Sequence, residues 1–168
     1  MARYRVIPDR SHLWAEARSS IHPIRIETSG LGGTVEAEIE DGAGRLGAPF
    51  RVEIDAERLR SGTSLVDGEL QRRLETRKFP RVTGSVRLAE QRGDSARWIL
   101  RGELTLHGVT RATDAEVALR VIDEKTIEIE GEKVIDMREY GLTPPKVFLL
   151  RVHPDVRVRA KLVAEREE

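Results

Sequence analysis

The sequence predicts an all-β, antiparallel domain with one short helix, and three observations carry this prediction. Apolar residues recur at every second position through most of the chain, which is typical of strands with one buried and one exposed face. Segments rich in Gly or in polar residues separate these runs and mark turns. One segment, near residues 64–77, has helical spacing instead.

The strands of the first half are predicted from clean alternation of apolar and charged residues. From Val35 to Glu40, apolar side chains alternate with glutamates, and from Phe50 to Asp55 they alternate with Arg, Glu and Asp. The segment Gly42-Ala43-Gly44 between them reads as a turn. We therefore expect each run to form a strand with one dry and one wet face.

The exception to this period is predicted to be a short helix inserted near residues 64–77. Val66, Leu70 and Leu74 recur four positions apart, so they share one face of a helix. Thr63 or Ser64 can cap the first turn, because a hydroxyl oxygen there can accept a hydrogen bond from a free backbone N–H.

The second half of the chain predicts further hairpins. Leu104 and Leu106 alternate with polar residues and run into a turn at His107-Gly108. A second alternating run around Leu119 ends at a short polar connection, Asp123 to Lys125. Many antiparallel strands with one helix can stack as a sandwich or close as a barrel, and periodicity leaves both open.

Composition restricts the function classes. The chain has 168 residues, which suits a single domain spanning 1–168. Its formal net charge is zero although 35% of the residues are charged, so no global field favours nucleic acid. Cysteine is absent, which excludes disulfides and thiolate chemistry. The first residues contain no apolar run of signal-peptide length, so we expect a cytoplasmic protein without stable membrane insertion.

Catalytic and cofactor motifs are missing from the sequence. It contains no G-x-S-x-G, no Walker loop and no H-E-x-x-H. The histidines, His12, His22, His107 and His153, lie on separate segments and not at the spacing of metal ligands. We therefore expect neither a metal nor a cofactor.

Two segments carry a recognisable family pattern. Gly102 to Arg111 reads GELTLHGVTR, and Ile135 to Leu142 reads IDMREYGL. With the opening Asp9-to-His12 segment and the alternating run from Val152 to Leu162, they resemble the YceI-like family of lipocalin-like, lipid-binding β-barrels. The resemblance implies a closed antiparallel barrel of about eight main strands. It also implies a long apolar ligand, such as a polyisoprenoid, a quinone or another lipid, that the protein carries, stores or sequesters.

Candidate site residues follow from placing the dry strand faces inside such a barrel. The predicted apolar lining consists of Trp14, Phe50, Val52, Trp98, Leu100, Leu104, Val117 and Leu119, with Ala15 as the alternative to Trp14 on the same strand. A diphosphate or carboxylate head group is predicted to pair with basic residues near the helix and with a histidine near the barrel mouth, because guanidinium groups match such oxygens. These residues are His12, Arg72, Arg73, Arg77 and Lys78.

Several alternatives stay open at this point. The inward residues can simply form a filled core, and the basic cluster can be a solvated helix face with a Glu69–Arg73 pair. The protein can also be a small enzyme that uses His12, His107 or Tyr140 as a proton donor, or a structural or stress-related interaction module. A homodimer is expected, because the last alternating run is long and regular and small barrels of this family are often dimeric.

Overall fold

The computed structural model describes residues 1–147 and 150–168. Within these residues the chain forms twelve strands, one α-helix and three short 3-10 turns, the latter at Pro8–Arg10, Ala56–Arg58 and Met137–Tyr140. The helix α1 spans Ser64–Leu74. The strands are β1 (Ala2–Val6), β2 (His12–Ser19), β3 (Ile24–Thr28), β4 (Leu31–Glu40), β5 (Ala43–Leu46), β6 (Phe50–Asp55), β7 (Arg81–Gln91), β8 (Arg97–Leu106), β9 (Val109–Asp123), β10 (Thr126–Asp136), β11 (Lys146–Val147) and β12 (Leu150–Arg166).

The sheet closes into a barrel, as predicted. Eight strands follow one another around it in the order β1, β4, β6, β7, β8, β9, β10, β12, and β12 pairs back onto β1. All of these pairings are antiparallel. Closure leaves no free edge along this path, and it turns one face of each strand inward.

The β8–β9 hairpin forms where the sequence predicts it. Leu106 pairs with Val109, so His107 and Gly108 are the two turn residues, and both have positive φ (54° and 71°). A two-residue turn with two positive φ values matches the right-handed twist of the strands. A Cβ at Gly108 would lie 2.4 Å from the Phe79 ring, so the close approach also requires glycine there.

β12 divides the barrel into two halves. Its C-terminal part pairs with β1, placing Ala164 opposite Val6, whereas its N-terminal part pairs with β2, placing Val156 opposite Ala17. β3 pairs with β2, and in the described chain its outer edge has a single bridge, from Glu27 to Arg60. One half is therefore closed by continuous strand pairing, and the other ends at β3.

The half closed by β1 contains the core and is called the packed half below. Val35, Ala37, Ile127 and Ala164 are completely buried there, and Tyr4 is nearly so. Further buried members of the same cluster are Val6, Leu31, Leu46, Phe50, Trp98, Val117, Leu119 and Ile129. The other half, formed by β2, β3, α1 and the adjoining strand ends, is called the hollow half.

The helix α1 forms close to the predicted segment. Thr63 is the N-cap, and its Oγ1 accepts a hydrogen bond from the Val66 backbone N–H at 3.4 Å. The helix ends at Glu75, which has a left-handed conformation (φ 51°) and returns its N–H to the carbonyls of the last turn. Only Leu74 is fully buried within the helix. The helix is thus a half-exposed cover and not a core element.

Candidate functional site

A cavity of about 240 Å³ occupies the hollow half, between the inner faces of β2 and β3 and the helix α1. Among its described lining residues only Glu69, Arg73 and Thr143 are polar. The apolar lining comprises Leu13, Ala15, Ala17, Ile24, Ile26, Ile54, Leu59, Val66, Leu70, Leu74, Val82, Leu104, Leu106, Ile135, Met137, Leu142, Pro145, Leu150, Val152, Val156 and Val158. Such a surface matches hydrocarbon.

Small side chains on β2 create the space. β2 lies between β12 and β3, and two rows of inward residues cross the three strands. In both rows an alanine of β2 stands between branched residues of its neighbours. The rows are Val158–Ala15–Ile26 and Val156–Ala17–Ile24. Because a methyl group fills far less volume than Leu or Phe, the wall is recessed along β2.

The helix α1 covers the cavity from the open side of β3. Val66, Leu70 and Leu74, the three residues whose spacing predicts the helix, all line the cavity. Arg73 and Glu69 lie one turn apart on the same helix and contribute its charged edge. An apolar stripe with a charged border is the pattern of a helix that packs against an apolar interior.

The charges at this edge balance each other. Arg73 donates from Nε to the Glu69 carboxylate at 2.7 Å, and Arg72 also donates to it. The Glu69 side chain is 15% exposed, and the hydrogen bond from Arg73 holds the pKa of its carboxyl below the ordinary value. Arg72 extends into solvent, so the cavity itself is bordered by one cation and one anion.

Side-chain contacts attach both ends of the helix to the barrel. Gln71 donates from Nε2 to the carbonyl of Ala56, beyond the end of β6. At the other end, Glu75 lies 2.6 Å from His107 Nε2 in the β8–β9 turn. The second ring nitrogen of His107 lies 3.0 Å from the carbonyl oxygen of Tyr140. His107 therefore joins three separate segments at the base of the hollow half.

The predicted apolar lining divides between the two halves. Leu104 lines the cavity. Trp14 lies on the outer face and is 37% exposed, with its ring near His12 and the Arg159 guanidinium. The remaining six lie in the packed half, in the core or directly against it: Phe50, Val52, Trp98, Leu100, Val117 and Leu119.

The predicted head-group residues are likewise dispersed. Arg73 borders the cavity, whereas Arg72 and Arg77 are exposed and Lys78 lies over the Phe79 ring at 5.3 Å. His12 lies on the outer face of β2, with Nε2 3.4 Å from the Glu27 carboxylate. The structure thus brings one of the five to the cavity.

The orientation of β2 is encoded in its alternation of charged and apolar residues. Trp14 lies on the same strand face as Glu16 and Arg18, whereas Ala15 shares the other face with Leu13 and Ala17. Because Glu16 and Arg18 are charged, the strand face that they share with Trp14 is the outer one. The predicted lining includes Ala15 only as the alternative to Trp14 and omits Ala17, because small residues give a weak hydrophobic signal, although both alanines line the cavity.

The residues considered as proton donors do not converge on the cavity. His107 has both ring nitrogens engaged, and Tyr140 is buried beside it. Burial, assisted by the nearby Glu139 charge, raises the pKa of Tyr140. The described residues contain no group of three or more His, Asp or Glu side chains placed to hold a metal ion. No helix among them has the length and apolar character needed to cross a membrane.

Comparison with protein families identifies the chain. The model of the YceI-like domain matches residues 4–164, and the protein therefore belongs to the YceI-like family. This confirms the resemblance seen in the sequence. A comparison with curated proteins yields no match.

Solved structures share the fold at low sequence identity. A polyisoprenoid binding domain from Saccharophagus degradans is 16% identical, with a TM-score of 0.79 over 99% of this chain and 100% of that chain. BcnA from Burkholderia cenocepacia is 12% identical, with a TM-score of 0.78 over 94% and 98%. The YCEI protein of Campylobacter jejuni is 14% identical, with a TM-score of 0.62 over 82% and 81%. All three are similar to this chain in fold.

Proposed function

We propose that this YceI-like protein binds the apolar chain of a lipid, with a polyisoprenoid or a quinone as the best candidates, in the cavity beneath α1. The observation that carries the proposal is the cavity itself, whose described walls are apolar except for three side chains. An apolar cavity is a poor site for water and a good one for hydrocarbon. The Saccharophagus degradans domain of the same fold is described as binding polyisoprenoid, which supports this ligand class.

The free energy of binding comes from the chain and not from the head group. Each CH2 group moved from water into an apolar site contributes roughly 0.8 kcal/mol. Branched isoprene units suit a wall in which alanines of β2 alternate with bulkier neighbours, because methyl branches can enter the recesses. Carriage, storage and sequestration all require this binding step.

The polar edge favours a neutral head group. Glu69 already compensates Arg73, so the cavity has no uncompensated positive charge for a diphosphate. In the described structure Arg73 uses its Nε for Glu69, and its other N–H groups can donate to a hydroxyl or a carbonyl oxygen. We therefore place a prenol or quinone head group beside Arg73, in preference to the anionic head group expected from the sequence.

The experiment that tests this function fills the cavity. Ala17→Leu adds a branched side chain in the recess between Val156 and Ile24. Because space is present, we expect the variant to fold and to lose at least tenfold in affinity for a long-chain prenol, which corresponds to about 1.4 kcal/mol. Native mass spectrometry of delipidated protein with added prenol measures the bound fraction.

Ala112→Leu is the matched control, because Ala112 lies at an exposed position of β9. It introduces the same atoms without entering the cavity. Equal prenol binding by the wild type and Ala17→Leu, with Ala112→Leu also unchanged, would show that the cavity is not the binding site. A filled barrel that acts only as an interaction module would retain no prenol in any of the three proteins.

A further inference from the structure

The two ends of the barrel differ in charge and in exposed apolar side chains. At the end of the packed half, the turns and the C-terminus carry an excess of acidic residues, namely Asp41, Asp94, Glu124, Glu167 and Glu168. The opposite end, beyond the cavity, includes the β2–β3 turn, the start of β12 with β11, the β8–β9 turn and the Met137–Tyr140 turn. The chain reaches α1 from Arg60, which bridges to Glu27 of β3. The two ends therefore present different surfaces to the surroundings.

Exposed apolar side chains stand at the cavity end. Ile21, in the β2–β3 turn, is 65% exposed, and it lies between Ala17 and Ile24, which pair across the hairpin and line the cavity. Leu65 is 52% exposed and directly precedes the lining residue Val66. Neither Ile21 nor Leu65 lines the cavity. Both branched side chains thus lie on segments that also carry cavity-lining residues.

Cations without acidic partners accompany them. Arg18 precedes the β2–β3 turn, and Lys146 pairs with Arg151 in the β11–β12 ladder. The turn and the ladder are adjacent, because Ser20 and Arg151 exchange two hydrogen bonds, one of them through the serine hydroxyl, at 2.9 and 3.0 Å. In the part of the chain that the structure describes, Arg18, Lys146 and Arg151 are exposed and form no ion pair.

Acidic side chains at this end lie beside other cations, accept hydrogen bonds or lie further away. Glu139 is exposed, and its charge acts on the neighbouring Arg138. Asp67 of α1 accepts hydrogen bonds from Ser61, and Asp136 is held by Arg138. Asp155 lies further along β12, opposite Asp136. Arg18, Ile21, Leu65, Lys146 and Arg151 are called the rim patch below. Its charge is positive although the net charge of the chain is zero.

We propose that the rim patch docks this end of the barrel on a membrane surface that contains anionic phospholipid. The three cations pair with lipid phosphates, and Ile21 and Leu65 enter the boundary between head groups and acyl chains. Docking is peripheral and reversible, because two apolar side chains anchor far less than a spanning segment. The proposal goes beyond ligand binding, since it concerns residues that do not line the cavity and the surface from which an apolar ligand comes.

The test is flotation of the 168-residue protein with vesicles of phosphatidylcholine, with or without phosphatidylglycerol. We expect binding only to vesicles that contain phosphatidylglycerol and a loss of binding at high salt. Arg18→Gln combined with Arg151→Gln should lower the partition coefficient roughly tenfold or more. Ile21→Ser should also lower the partition coefficient although Arg18 and Arg151 remain, because the contact of Ile21 with the lipid does not depend on charge.

The matched control is Arg45→Gln combined with Leu88→Ser, which removes an exposed arginine of β5 and an exposed leucine of β7 away from the rim patch. This variant should bind vesicles as the wild type does. Absence of wild-type binding to phosphatidylglycerol vesicles, or an equal loss in the control, would overturn the docking proposal.

A separate measurement keeps docking and ligand binding distinct. Prenol binding in solution, by native mass spectrometry, should be unchanged in the rim variants because their cavity is intact. Wild-type protein that binds vesicles but retains no prenol would leave docking standing and remove the proposed function. Protein that retains prenol but never floats with anionic vesicles would do the reverse.

Discussion

In the packed half, Trp98, Leu119 and Ile127 fill the barrel, whereas in the hollow half the inward positions of β2 hold Ala15 and Ala17. The closing element also differs, because β1 hydrogen-bonds to both β4 and β12 while α1 attaches largely through side chains. Strand closure satisfies backbone groups and tightens the interior, whereas a helix laid across the opening leaves volume beneath it.

This difference assigns separate tasks to the two halves. The packed half has the low exposure and continuous strand pairing that stability requires. Among the described residues, no fully buried member of its core cluster lines the cavity, although Leu13 and Ile54 pack against that cluster and line the cavity as well. The hollow half is less tightly packed and contains the cavity. One barrel can therefore hold both a stable frame and the proposed binding site, and we expect substitutions in the two halves to change different properties.

The largest expected effect comes from truncating matched leucines in the two halves. Leu119 is 6% exposed in the packed core, and Leu104 lines the cavity. Leu119→Ala should lower the free energy of unfolding by about 3–5 kcal/mol, because it opens a void in a packed region. Leu104→Ala should cost about half as much, since its side chain already borders empty space. Urea unfolding followed by circular dichroism gives both values.

Binding should respond in the opposite order. Leu104→Ala enlarges the cavity and alters prenol affinity, whereas Leu119→Ala should leave it within about twofold, as distant sites usually act independently. Equal losses of stability from the two truncations would mean that the halves are packed alike. The comparison on which the proposed function rests would then fail.

A buried carboxylate provides the next comparison. Glu128, on the outer face of β10 beside the packed half, has a side chain only 6% exposed and receives hydrogen bonds from Arg120 and Lys161. Burial alone raises the pKa of its carboxyl, but the hydrogen bonds from Lys161 and Arg120 outweigh burial and lower the pKa below 4.5. Glu128→Gln should cost about 1–2 kcal/mol at neutral pH.

The pH dependence of that cost has a definite sign. Because folding lowers the pKa of Glu128, its contribution is complete above the ordinary value of 4.5 and is lost as the pH falls through the lowered value. The gap in unfolding free energy between wild type and Glu128→Gln should therefore be constant near neutral pH and shrink in acid. A gap that widens below pH 4.5 would contradict this assignment.

The sequence predicts the frame of the molecule better than its site. Alternation shows which face of a strand is inward, and the spacing of Val66, Leu70 and Leu74 identifies both the helix and its cavity face. Alternation does not show how far along the barrel axis an inward residue lies. Phe50 and Leu104 have the same pattern, yet one belongs to the packed core and the other to the cavity wall.

The basic cluster illustrates a second limit. The four cations are close in sequence: Arg72, Arg73, Arg77 and Lys78. Successive residues of a helix point in directions about 100° apart, and the helix ends before Glu75, so Arg77 and Lys78 lie outside it. Only Arg73 is directed to the cavity. The sequence predicts the Glu69–Arg73 pair as a feature of a solvated helix face. The pair is present, but it lies on the cavity border.

The smallest effect on stability, and the sharpest on selectivity, is expected from Glu69→Gln in the hollow half. The Glu69 carboxylate is only 15% exposed, but its partners Arg73 and Arg72 are 34% and 71% exposed and lie one turn away, so the ion pairs contribute about 1 kcal/mol or less to folding. Removing the carboxylate leaves Arg73 uncompensated at the cavity border. We expect affinity for a prenyl phosphate to rise roughly fivefold relative to the matching prenol, which corresponds to about 1 kcal/mol.

Competition between the two ligands, followed by native mass spectrometry, measures the ratio of their affinities. Glu90→Gln on β7 serves as the control, because Glu90 pairs with Arg101 away from the cavity. An unchanged ratio in Glu69→Gln would place the head group away from Arg73, because a compensating charge beside the head group cannot be removed without altering this preference.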